Sequence, residues 1–160
     1  WLTAFLNSEL VTVIFRIFYA GGELVGKYRY KKAFLENLPL PRPREPYNLQ
    51  FEKLVDYLTF YKGKFQDDSK NYALSTYLES VVDGMVYEVV FENEIKSASK
   101  EILKHLGDLK PITEVMSEEE KVAIIQSAFE RLYDPNHPVR FAIETLDSVE
   151  EVRIIKEALK

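Results

Sequence analysis

Apolar residues recur at helical spacing along nearly the whole chain. In residues 2–19 they fall at Leu2, Phe5, Leu6, Leu10, Val13, Ile14, Ile17 and Phe18, one broad face of a helix. Asn7-Ser8 interrupts this run and predicts two helices, with Ser8 as the N-cap before Glu9. Leu49, Leu54, Tyr57, Leu58 and Tyr61 predict a helix starting near Asn48 and closed by Gly63, and Asp67–Lys70 reads as a polar loop. Tyr72 to Phe91 predicts a long helix, its stripe formed by Leu74, Tyr77, Leu78, Val81, Val82, Met85, Val86, Val89 and Val90. Asn93 to Leu106 predicts another, stopped by Gly107 in a left-handed C-cap. Ser117-Glu118-Glu119-Glu120 and Ser148-Val149-Glu150-Glu151 fit the capping box and predict helices over 117–132 and 148–159, with a turn at Asp134–Pro138 between them.

One stretch breaks the helical rhythm. Gly21, Gly22 and Gly26 form a Gly-rich loop, followed by Lys27-Tyr28-Arg29-Tyr30-Lys31-Lys32, whose alternation suits a short strand. In Leu38-Pro39-Leu40-Pro41-Arg42-Pro43 each X-Pro pair pushes its first residue to extended geometry, so this run is a connector. The predicted fold is mainly α: a helical, bundle-like body with a small irregular or β-containing basic segment near residues 21–42. The expected division is 1–44, 45–110 as a helical scaffold, and 111–160 as a separable helical appendage beginning at Pro111.

Composition narrows the chemistry. With 160 residues, 46% apolar and 29% charged, the chain is an ordinary folding sequence. It has no Cys, which removes disulfides, thiolate zinc sites, iron–sulfur clusters and Cys nucleophiles. Only His105 and His137 are present, so a histidine-rich metal site is excluded, and both read as structural. The apolar run Leu10–Ala20 contains Arg16 and falls short of the roughly 20 residues a membrane span needs. Neither a signal peptide nor a membrane segment is visible, and a cytoplasmic location is expected. Trp1 in place of Met, in front of sequence that reads as mid-domain, predicts a piece of a longer chain.

Charge is unevenly placed. Residues 16–44 hold seven basic side chains against Glu23 and Glu36, a net +5, so the overall −5 leaves −10 on the rest. Lys and Arg neutralise phosphates, aromatic rings stack on bases, and a Gly-rich loop offers bare backbone N–H groups. Arg16, Gly21, Gly22, Gly26, Lys27, Arg29, Lys31 and Lys32 are therefore the candidate DNA-contacting residues. Gly21 to Lys27 also spells G-x-x-x-x-G-K, but Tyr28 stands where magnesium ligation needs Ser or Thr, and no strand precedes the loop. Nucleotide hydrolysis is set aside. Asp83 and Glu88 are candidate acid–base carboxylates, for which a structural role is the simpler reading.

Three blocks carry a family resemblance. Phe5-Leu6-Asn7-Ser8-Glu9-Leu10 with Phe15-Arg16 and Gly21-Gly22 is followed by Gly26–Lys32, Phe34-Leu35-Glu36 and Leu38-Pro39-Leu40-Pro41. Together they resemble the end of a TaqI-like C-terminal specificity domain, as found in adenine-specific DNA methyltransferases and type IIG restriction–modification enzymes. Val81–Phe91 with Glu94-Ile95-Lys96 is similar to the helical tail of those enzymes, so the likeness covers about residues 1–107. The Asn/Asp-Pro-Pro-Tyr/Phe motif, the Gly-rich S-adenosylmethionine loop and a nuclease cluster are absent from this sequence. The resemblance thus implies a non-catalytic recognition and scaffold part with no cofactor of its own. S-adenosylmethionine belongs to the implied parent chain, which is a methyltransferase with or without endonuclease activity. The implied partners are duplex DNA, the parent's catalytic domain and a second copy. The alternative from another class is a helical protein–protein interaction or dimerisation module with no nucleic-acid role, which the acidic remainder suits.

Overall fold

The computed structural model describes residues 1–18, 36, 38, 40–65 and 72–160. The helices are α1 (Leu2–Leu6), α2 (Glu9–Phe18), α3 (Tyr47–Lys64), α4 (Tyr72–Val90), α5 (Glu92–Ser97), α6 (Glu118–Tyr133), α7 (Pro138–Glu144) and α8 (Glu150–Leu159). Single 3-10 turns at Leu103–His105 and Leu146–Ser148 complete the regular structure, and no strand occurs among the described residues. These helices take up more than half of the chain, so the fold is mainly α, as the periodicity predicts. Tyr19–Leu35, which includes the Gly-rich loop and the predicted strand, and Asp67–Lys70 lie outside the described residues. Residues 40–44 are described and are neither helix nor strand, as expected of the Pro-rich connector.

The organising element is α4. Around its middle Val81, Val82, Gly84, Met85, Val86, Tyr87 and Glu88 are all buried, so this helix is enclosed on every side. It packs against α1, α2, α3, α5, α6 and α7. Gly84 makes part of this possible. A Cβ there would lie 2.4 Å from Ile102 Cδ1 and 2.7 Å from Ile143 Cδ1, so two apolar side chains use the space that any other residue would fill.

The break between α1 and α2 follows the local chemistry. Ser8 Oγ donates to Phe5 O at 2.7 Å and accepts the Val11 N–H at 3.3 Å, closing one helix and starting the next. Four expectations are corrected. Gly63 does not close α3, which runs on to Lys64. The predicted 93–106 helix stops at Ser97, because Ser99 takes a left-handed φ of 56° and the Lys100 N–H returns to Ile95 O at 3.0 Å. Gly107 is left-handed, at φ 64°, but it follows a 3-10 turn. Ser148 caps nothing: its Oγ donates to Thr145 O, and Val149 precedes α8 without a side-chain cap. Ser117–Glu120, by contrast, forms the full reciprocal capping box, and α7 is an additional short helix after the expected turn.

The expected detachable appendage is corrected as well. Ile125, Ala128, Leu132, Val139, Ala142, Val152 and Ile155 are buried in the same continuous core as Phe5, Leu54 and Met85. The connection near Pro111 is stitched down: Leu109 is buried, the Tyr57 hydroxyl donates to Lys110 O, and Arg131 donates to Leu106 O and Asp108 O. The Tyr77 hydroxyl donates to Leu132 O at 2.6 Å, tying the last turn of α6 to α4.

Candidate functional site

Of the eight candidate DNA-contacting residues, Arg16 is described; Gly21, Gly22, Gly26, Lys27, Arg29, Lys31 and Lys32 lie outside the described residues. Arg16 stands in the last turn of α2, half-buried, and its Nη1 donates to Ala158 O near the end of α8 at 3.2 Å. A guanidinium at the negative end of two helix dipoles is favourably placed, and here it pins the exit of α2 onto α8. At the other end of the basic stretch Arg42 and Arg44 are exposed on the connector. Arg44 pairs with Glu92 at 3.1 Å, and Lys96 pairs with the other oxygen of that carboxylate at 2.5 Å. The two cations hold the Glu92 carboxyl below the usual range, Lys96 foremost through its hydrogen bond. Arg16 and Arg44, one at each flank, therefore hold partners on the helical body.

The candidate carboxylates both serve backbone donors. Glu88, 7% exposed, accepts the N–H groups of Ile102 at 2.6 Å and Leu103 at 2.8 Å through Oε2. Burial pushes its pKa up, while those two hydrogen bonds pull it back. Glu88 is the cap that the 3-10 turn lacks from its own neighbours. Asp83 does the same for α2: its Oδ1 accepts the Glu9 N–H at 3.0 Å. Burial foremost raises Asp83 to about 7; the Glu9 N–H opposes the shift, and the Glu9 and Glu79 carboxylates add to it.

Asp83 also lines a cleft of about 560 Å³ between α1, α2, α3 and α4, with Glu9, Glu79 and Lys62 at its wall and Val55, Leu58 and Val82 behind. Lys62 pairs with Glu79. A carboxylic acid titrating near neutrality is suited to proton transfer. The hydroxyls of Thr3, Thr59, Thr76 and Ser80 also line this cleft, and among the described residues no histidine does.

Both histidines are expected to be structural, and His137 caps a helix. Its Nδ1 accepts the Val139 N–H at 3.3 Å as the N-cap of α7. Burial and then Arg131 hold its pKa below the usual value. His105 is half-buried in the 3-10 turn after α5. Among the described residues no group of three or more His, Asp or Glu side chains is arranged to hold a metal ion. No described helix is long and apolar enough to cross a membrane. Periodicity could not reveal that Asp83, Glu9 and Tyr87 meet, since Glu9 and Asp83 are 74 positions apart in the chain. The one available signal was a carboxylate on an apolar stripe. No protein-family model, no curated protein and no solved structure matches this chain.

Proposed function

We propose that this chain is the non-catalytic DNA-recognition and scaffold part of a restriction–modification DNA methyltransferase. In this reading Lys27, Arg29, Lys31 and Lys32 meet duplex phosphates, Gly21, Gly22 and Gly26 let the backbone approach, and Arg16 stands at the entry. The helical body holds that segment against the parent's catalytic domain or a second copy. The observation that carries the reading is the charge partition, +5 over residues 16–44 on a body of −10. Such a field repels DNA from most of the surface and admits it at one place, so it orients the encounter as well as strengthening it. The anchored α2 exit supports a fixed starting point for the segment.

The alternative, a protein-docking module, draws on one feature. Ile17 and Phe18 end α2 at 56% and 75% exposure, an apolar pair beside the same segment. The two readings part in a binding experiment. Replacing Lys27, Arg29 and Lys31 with Ala is expected to weaken binding of any duplex sequence about equally, because phosphate contacts carry no sequence information. The slope of log affinity against log salt is expected to flatten by about 2–3 units, at about 0.9 per lost contact. An unchanged slope in this variant makes the basic segment a solvated face and leaves the docking reading.

A further inference from the structure

The start of α2 is held to α4 at two points. Asp83 Oδ1 takes the Glu9 backbone N–H at 3.0 Å, and Glu9 Oε2 takes the Tyr87 hydroxyl at 2.8 Å. Asp83 and Tyr87 lie one turn apart on the same face of α4, so they grip one residue from both sides, by its backbone donor and by its carboxylate. The grip sits beside the Asn7-Ser8 corner, where the chain turns from α1 into α2.

The surroundings give two facing carboxylates little compensation. From α3, Lys62 is engaged by Glu79; from α8, Lys156 is engaged by Asp147 at 2.5 Å. Glu79 on α4 itself adds a further negative charge, Lys156 opposes it only as the smallest of the named influences, and Thr3 and Ala4 of α1 and Asn7 at the corner are uncharged.

We propose that Asp83 and Glu9 form a proton-dependent clasp. With a proton on Asp83 the start of α2 is locked onto α4; without it, two like charges face each other and the joint loosens. The neutral acid keeps Oδ1 as an acceptor for the Glu9 N–H, so protonation removes the repulsion without removing the bond. This clasp does not depend on the DNA reading.

The direction of the pH effect follows. Asp83 has a folded value of about 7 against an ordinary 3.8, so between those values the fold binds a proton that the unfolded chain releases. Stability from this group is therefore highest below the lower value, falls as pH rises through the window, and is level above the upper one.

Carbon-detected NMR of the side-chain carboxyls across that window tests the clasp. The Asp83 carboxyl is expected to titrate near 7, well above its ordinary 3.8, and the Glu9 and Val11 amides should move with the same midpoint. Exchange of the Glu9 amide, corrected for hydroxide catalysis, is expected to rise on the order of tenfold across the midpoint, since each unit of pKa difference between closed and open joints is tenfold in opening. Asp83→Asn retains an oxygen acceptor but cannot titrate. It is expected to abolish the pH-dependent part of the Glu9 exchange and to flatten the fall in Tm across the window. An Asp83 midpoint at the ordinary carboxylate value overturns the proposal, and so does an Asp83→Asn protein that keeps the parent's pH dependence.

Discussion

Glu88→Ala is expected to lower unfolding free energy by about 3–5 kcal/mol: two buried N–H groups lose their acceptor at about 1–3 kcal/mol each, and a small cavity adds to that. The donors belong to Ile102, fully buried, and Leu103, 4% exposed, so water cannot replace the carboxylate without opening the core. Glu88→Gln keeps an oxygen in the same place and exchanges charge-assisted bonds for neutral ones, so its expected loss is only about 1–2 kcal/mol. Urea unfolding of the two variants separates a role as hydrogen-bond acceptor from one that depends on charge. Equal losses from both would mean that Glu88 contributes through its charge and not as an acceptor.

The second large effect tests whether the C-terminal helices belong to the core. Leu132 in α6 is fully buried, and Leu132→Ala is expected to remove about 2–5 kcal/mol. The chain has a single Trp, at the opposite end of the sequence. Trp1 packs on Phe5 at 5.2 Å and on Phe51 at 4.9 Å between ring centroids. Its fluorescence therefore reports on α1 and α3. In a one-core molecule the Leu132→Ala unfolding midpoint by Trp1 fluorescence shifts together with the midpoint by far-ultraviolet circular dichroism. A detachable appendage would leave the Trp1 transition where it was and split the two signals.

Most of the helices were legible because each has an apolar face that must be buried, and the spacing of that face survives in the sequence. The Ser8 and Ser117 caps were legible for a similar reason: the donor groups they satisfy lie within three residues. What the sequence pattern missed is non-local. Ser148 has the same neighbours in sequence as a capping serine, yet the turn Leu146–Ser148 takes its hydroxyl for Thr145 O. Ser99 occupies a left-handed position at which glycine is the usual signal, so the end of α5 passed unmarked. The packing of α6 on α4 was hidden behind Gly107 and Pro111, which read as a boundary. They turn out to be a corner, with Arg131 reaching back to close it.

The candidate site divides in the same way. Asp83 and Glu88 stood out as carboxylates within an apolar stretch, but their partners, Glu9 and residues 102–103, are supplied by the tertiary fold. The basic segment was legible from charge alone, because net charge needs no geometry. Arg16 was read as one of that group, and one of its donors also reaches across the seam between α2 and α8.

Amide-resolved NMR during titration with a short duplex, at low and then at high salt, tests the central claim most directly. The account predicts shifts concentrated within residues 16–44, arising with duplexes of unrelated sequence and fading as salt is added. Shifts centred on α6 to α8, or no shifts at low salt, would contradict it.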